Sequence, residues 1–245
     1  MLAHEKLRVY SKALAFVSAV SACSTTWSKK HAVVDQLGRA SESLILNLAD
    51  GARFRSAPSK LKAMDCALGS GLECAACLDI ARIKSFLSQA ETDREKRRLC
   101  EVVRMLIGLR KAWESWKVHD ATVEYWTEPR TPASEPCFHH EQLEVYGAGL
   151  ELMAWLTSLP GGKDLSHRLH RQMDEAATSI ILNIAEGNGR YSELDHRRFL
   201  DVAEGSVVKV AAYLDILLQK HSLSGKACGP GKALLERIAA MLSRM

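Results

Sequence analysis

Arg190-Tyr191-Ser192-Glu193-Leu194-Asp195-His196 is the stretch of this chain best spaced for chemistry on a phosphodiester. In an Arg-x(4–6)-His arrangement the guanidinium would hold phosphate charge while the imidazole acts as acid or base, which together could cleave RNA. The same stretch contains Glu193-x-x-His196, the one ordered match to the Glu-x-x-His pairs from which helical bundles build metal sites. Cys74-Ala75-Ala76-Cys77 has thiol spacing that suits zinc. Each motif also has a plainer reading. Arg-x5-His spacing is loose enough to recur by chance, and His196 opens a helix as a solvent residue. Cys74 and Cys77 have no second pair near them, so they are expected to pack as small apolar side chains. His139, His140, His167 and His170 lack a carboxylate or thiol complement and are expected to be surface residues. The expectation is therefore a chain with no catalytic residues, no metal site and no cofactor.

The elements that must position these residues occur twice. Shifted by 136 residues, positions 4–88 match 140–224 without a gap, with 28 identities in 85. His4-Glu5, Val9-Tyr10 and Leu14 fall on His140-Glu141, Val145-Tyr146 and Leu150, and the run Ser43 to Gly51 falls on Ser179 to Gly187. Lys96/Lys232 and Leu99/Leu235 carry the match onward. Two copies are too few for a solenoid, so each is expected to be one domain of about 100 residues. The boundaries are placed at 1–117 and 139–245. A linker at 118–138, with Trp126, Pro129, Pro132 and Pro136, is expected to be extended and to lie against a bundle surface.

Alternating β-branched runs are missing, and Leu and Ala recur at 3–4 spacing. The fold class is all-α, with helices expected at 4–23, 30–51, 58–88 and 92–117, then 140–158, 164–187, 192–222 and 230–244. Gly187 is placed for the left-handed conformation that closes a helix, and Gly189 adds a flexible point. Ser192 begins a capping box, and its counterpart Ser56 stands two residues before Pro58. Gly69-Ser70 and Gly205-Ser206 fall inside helices, where glycine costs about 1 kcal/mol against alanine. Close approach of a neighbouring helix is the simpler compensation; a ligand over the bare backbone is the alternative.

With 47% hydrophobic and 25% charged residues, the chain reads as globular rather than disordered. No run reaches the roughly 18 apolar residues of a membrane span, and no leader pattern follows Met1, so no membrane association and a cytoplasmic location are expected. Seven cysteines at unlike places in the two copies argue against a disulfide framework. The formal charge of +4 is unevenly held. Residues 1–109 carry 17 Lys and Arg against 11 Asp and Glu, whereas residues 137–245 carry 12 against 13. An acidic partner would suit the first copy, through Lys29, Lys30, Arg39, Arg53, Arg55, Lys60 and Lys62 near the loop ends and Arg94, Lys96, Arg97 and Arg98 at the start of the fourth helix. A solvated basic surface is the plain alternative.

Asn183-Ile184-Ala185-Glu186-Gly187-Asn188-Gly189-Arg190, followed by Phe199-Leu200, Ala203 and Gly205-Ser206, resembles the four-helix-bundle proteins encoded in 23S ribosomal-RNA intervening sequences, a family that includes the accessory variability determinants of diversity-generating retroelements. The first copy keeps Asn47, Gly51, Gly69 and Ser70 but has Arg53, Phe54 and Ala63 where the motif has glycine, arginine and phenylalanine. The resemblance implies two tandem up-and-down four-helix bundles, and self-association into rings. Family rings are typically of five single-domain subunits, whereas two-domain chains supply only an even number of bundles. It further implies nucleic-acid binding, RNA before DNA, and a reverse transcriptase or other protein as partner. Glu186 and Arg190 are expected to pair, fixing the loop or meeting a neighbouring subunit. Three readings follow: a non-enzymatic, oligomer-forming RNA-binding accessory protein; a protein-interaction scaffold without nucleic acid; and an Arg-x5-His ribonuclease.

Overall fold

The structure, a computed structural model, describes residues 2–115, 137–159 and 167–245. Most of the expected linker lies outside the described residues. Those that are described form α1 (Arg8–Ser24), α2 (Ala32–Arg53), α3 (Ala57–Ile83) and α4 (Gln89–Ser115), then α5 (Glu144–Ser158), α6 (His167–Asn188), α7 (Glu193–Gln219) and α8 (Gly225–Leu242). Among the described residues there is no strand. Within each set of four, consecutive helices pack side by side and the last returns to the first, giving two up-and-down bundles.

Local chemistry sets the helix ends. Ser56 accepts from the Ser59 amide at 3.4 Å with Pro58 in the first turn, and Ser192 accepts from Asp195 at 3.4 Å. Ser88 and Glu91 cap α4 reciprocally: the Glu91 amide donates to Ser88 Oγ at 3.3 Å and the Ser88 amide to Glu91 Oε2 at 2.8 Å. The stops are duplicated too. Ser85 (φ 59°) and His221 (φ 55°), 136 residues apart, take the left-handed conformation just after α3 and α7.

Several boundaries differ from expectation for identifiable reasons. The 3-10 turns His4–Lys6 and His139–Gln142 precede α1 and α5, because extended Leu7 and Leu143 interrupt the helix. Helix α8 starts at Gly225 rather than 230: Ser224 accepts from the Ala227 amide at 3.2 Å, and Pro230 is accommodated inside the helix. Gly187 is not left-handed, since no described glycine has positive φ. Its bare Cα instead admits α7, for a Cβ there would lie 3.0 Å from Phe199 Cβ.

The shared motif residues tie helix two to helix three in both bundles. Asn47 Nδ2 donates to the Ser43 carbonyl at 2.8 Å, and Ser43 Oγ lies 2.8 Å from Ser70 Oγ. In the second copy Asn183 donates to the Ser179 carbonyl at 2.7 Å, and Ser206 Oγ donates to Ser179 Oγ at 2.9 Å. These bonds satisfy polar groups inside a helix contact and fix its register.

The two bundles are packed against each other, with one hydrophobic core running through both. Helix α3 lies against α5 and α6, and α2 also touches α6. That placement explains why the C-terminal half of α3 is buried on nearly every side, as expected of a helix with neighbours all round. Cys74 and Cys77 are fully buried within it, and burial pushes both thiols well above their ordinary pKa, so they act as small core residues.

Candidate functional site

The contact between the bundles is built from unlike faces. The first copy presents α3, with α2 beside it and side chains of α4 reaching across; the second presents α5 and α6, with Glu141 of its opening turn met by Lys96. At the centre, Gly69 allows Arg190 to approach: a Cβ on Gly69 would stand 3.0 Å from the guanidinium carbon. Arg190 pairs with Glu186, stacks over Phe199 at 4.7 Å and points Nη1 at Cys66 Sγ, 3.7 Å away. Gly189 serves the same closeness rather than flexibility, since a Cβ there would meet Leu72 Cδ1 at 2.5 Å. Arg110, bonded to Asp65 at 2.5 Å, lies 3.6 Å over the Tyr191 ring.

A polar cluster closes one edge. Tyr146 Oη donates to Asp79 Oδ2 at 2.9 Å, while Lys96 donates to Asp79 Oδ1 at 2.6 Å and to Glu141 at 2.8 Å. His140, fully buried, packs edge-on against Tyr146 at 4.7 Å. Burial, then the Lys96 and His139 charges, lowers its pKa to about 3, so the ring is neutral. At another edge Asp174 pairs with Lys84 and accepts from the Ala32 amide at 3.1 Å, placing a carboxylate at the α2 N-terminus. Glu73 is held near Glu186, and burial followed by that like charge raises its pKa to about 7, partly offset by Arg39 and Arg190.

Of the cations that the sequence singles out, nine stand on the surface. Lys29, Lys30, Arg94, Arg97 and Arg98 cluster at one end of the first bundle, where Trp27 and Phe86 stack at 5.4 Å and join the α1–α2 and α3–α4 turns. Arg39 lies one to two turns into α2 and pairs with Asp35. Arg53, Arg55 and Lys62 lie at the opposite end, about 30 Å away along α2. Arg94 and Arg98 pair with Glu95, and Arg53 with Asp50. Lys29, Lys30, Arg55, Lys62 and Arg97 have no carboxylate partner among the described residues. The remaining two are committed elsewhere: Lys60 is buried with its ammonium 5.0 Å from the Trp113 ring centre, and Lys96 belongs to the cluster between the bundles.

Arg190 and His196 are likewise engaged locally. The guanidinium faces Glu186 and the first bundle, whereas His196 Nδ1 lies 2.8 Å from the Gly187 carbonyl and helps join α6 to α7. Gly205 departs from the close approach expected of it, because a Cβ there would find nothing within 4 Å. It stands on an open face of α7.

Sequence reading passes over Asp79, Tyr146, Glu141 and Asp174 as site residues. The signal was present for three of them, since Glu5/Glu141, Tyr10/Tyr146 and Asp79/Asp215 are identities of the repeat.

The sequence profile of the 23S rRNA-intervening sequence protein family matches residues 5–108 and again 141–244. No curated protein and no solved structure matches the chain.

Proposed function

Because the chain belongs, in both halves, to the 23S rRNA-intervening sequence protein family, we propose that it is a non-enzymatic nucleic-acid-binding accessory protein whose first bundle contacts the phosphates of a structured RNA. The observation that carries this reading is the group of exposed cations at one end of that bundle, in which Lys29, Lys30 and Arg97 have no described carboxylate partner. Cations left unpaired at one end of a domain form an electrostatic footprint for a polyanion, and RNA is met chiefly through its backbone and shape.

Neutralising phosphates releases condensed counterions, so affinity should fall with salt by a log–log slope of about −0.9 per contact on duplex. Five contacts would weaken binding about 500-fold between 50 and 200 mM salt. Fluorescence anisotropy with a labelled RNA hairpin, and with DNA of the same sequence, measures this directly. Affinity that does not change with salt contradicts the mechanism, and equal affinity for the DNA contradicts the preference for RNA.

The open face of α7, with Val202, Val208 and Ile216 exposed, favours a second reading as a protein-interaction scaffold. A purified chain that shifts neither RNA nor DNA yet captures a defined protein, a reverse transcriptase included, would decide for the scaffold.

A further inference from the structure

The contact between the bundles does not close completely. A cavity of about 190 Å³ opens where α3 and α4 face the turn between α6 and α7. Leu68, Leu72, Val103 and Ile107 form its apolar walls, and Asn188, Arg190 and Tyr191 line the side given by the second copy. Its volume exceeds the roughly 150 Å³ that holds a benzene ring in an apolar protein cavity, so it suits a single planar ring with its substituents. The first copy has Phe54 and Arg55 in place of Arg190 and Tyr191, so the polar side of this site is not duplicated. Resting on the RNA reading above, we propose that the cavity receives one unpaired pyrimidine base of the bound RNA, stacked on Tyr191 and accepting a hydrogen bond from Arg190.

The ring of Tyr191 offers the stacking face. Arg110 lies over one side of it at 3.6 Å, yet the residue is 57% exposed, which leaves the other side for a base. Arg190 offers the donor. Its Nη2 is held by Glu186 and its Nη1 points at Cys66, while Nε is buried with no hydrogen-bond partner among the described residues. A buried donor left so is costly, and a base carbonyl in the cavity supplies the acceptor. Glu186 already meets the guanidinium charge, so a neutral acceptor suits the place better than an anion, which the apolar walls would desolvate. Asn188 adds a side-chain amide that can both donate and accept.

The cations of α4 give the strand a path to the cavity. Arg97, Arg104 and Lys111 recur every seven residues, on the line of the helix that also carries Cys100 and Ile107. The Cys137 thiol donates to the Cys100 carbonyl at 3.4 Å and Ile107 lines the cavity, so this line faces the second copy. It runs about 15 Å from Arg97, in the exposed cluster at the end of the bundle, to Ile107. Unpaired RNA is read in this way, with bases splayed out and stacked on aromatic rings, whereas a paired stem keeps its bases stacked inside.

Two RNA hairpins test the proposal, one with a fully paired stem and one with a single bulged uridine, each titrated into the full chain by fluorescence anisotropy. The bulged hairpin should bind about tenfold tighter or more, the worth of one base on an aromatic ring. Tyr191→Ala, which removes the stacking face, and Ile107→Trp, which fills the cavity, should each erase the difference, with helical content and thermal melting confirming the fold. A 4-thiouridine at the bulge should crosslink under near-ultraviolet light to the peptide holding Tyr191 or Cys137, both of which line the cavity. Salt-dependent binding that is equal for the two hairpins overturns the proposal and leaves the RNA reading standing; binding of neither hairpin overturns both. A preference that survives both substitutions, or a crosslink confined to other peptides, also overturns it.

Discussion

Helices α3 and α7 occupy the same place in the repeat, and both have 27 residues. Seventeen residues of α3 are buried but only seven of α7, so the two copies share a fold and differ in what covers it. The small residues Gly71, Cys74 and Cys77 of α3 stand where α7 has Val207, Val210 and Tyr213. Duplication kept in both copies the residues that hold helix two to helix three and those of the polar cluster, while the small residues of the covered helix give way to larger ones in the open one. The comparison teaches that identity between the copies covers both the internal framework and the residues of the contact, so that the same residue, such as Asp79 or Asp215, is buried in one copy and exposed in the other.

The largest expected effect breaks the comparison at its polar cluster. Asp79→Ala leaves the Tyr146 hydroxyl and Lys96 without their shared acceptor inside the contact and should destabilise by about 3 kcal/mol in chemical denaturation. Asp215→Ala removes the same residue type at the matched position, but on the surface, and should change monomer stability by less than about 1 kcal/mol. Equal effects would mean that the contact between the bundles contributes nothing special.

Next comes Glu73, whose counterpart is Lys209. Its pKa is raised to about 7 from 4.5, so the folded chain holds a proton that the unfolded chain releases between those values. Stability from this group is complete below pH 4.5 and is lost as pH rises toward 7. Glu73→Gln should therefore match the parent near pH 4.5 and exceed it by about 2 kcal/mol at pH 8, a figure discounted for the partial exposure of the side chain. His140 opposes this trend in the parent, since its depressed pKa makes stability fall as pH drops below 6.5; the difference between variant and parent isolates Glu73. A difference that does not vary with pH contradicts the assignment.

Smallest is the pair of glycines. Gly205→Ala meets open space and should gain about 1 kcal/mol of helix propensity, measured on dilute monomer. Gly69→Ala presses on Arg190 and should gain nothing or lose stability.

The repeat, the eight helices of the described residues and the caps at Ser56 and Ser192 were legible because each depends on local spacing. The contact between the bundles was not. Gly69 and Gly205 are the same residue in the same motif, as are Asp79 and Asp215, and identity cannot say which copy of a face is covered. Gly187 misled for a related reason, since a glycine that admits a neighbour looks in sequence like a glycine that turns the chain. Lys60 and Lys96 read as surface cations by type, but a long aliphatic stem lets an ammonium reach an aromatic face or a carboxylate from a buried backbone. Lys29 and Lys30 were legible as exposed because they stand in the α1–α2 turn, where charge has few places to go but solvent.

Whether the first bundle carries the nucleic-acid surface is tested most directly by titrating one labelled RNA hairpin into two charge-reversed chains at constant low salt. Lys29→Glu with Lys30→Glu and Arg97→Glu changes the first bundle; Arg197→Glu with Arg198→Glu changes exposed cations of the second. The first set should weaken binding at least about tenfold and flatten the salt dependence, while the second leaves both close to the parent. Equal loss in the two chains, or none in either, would contradict the account.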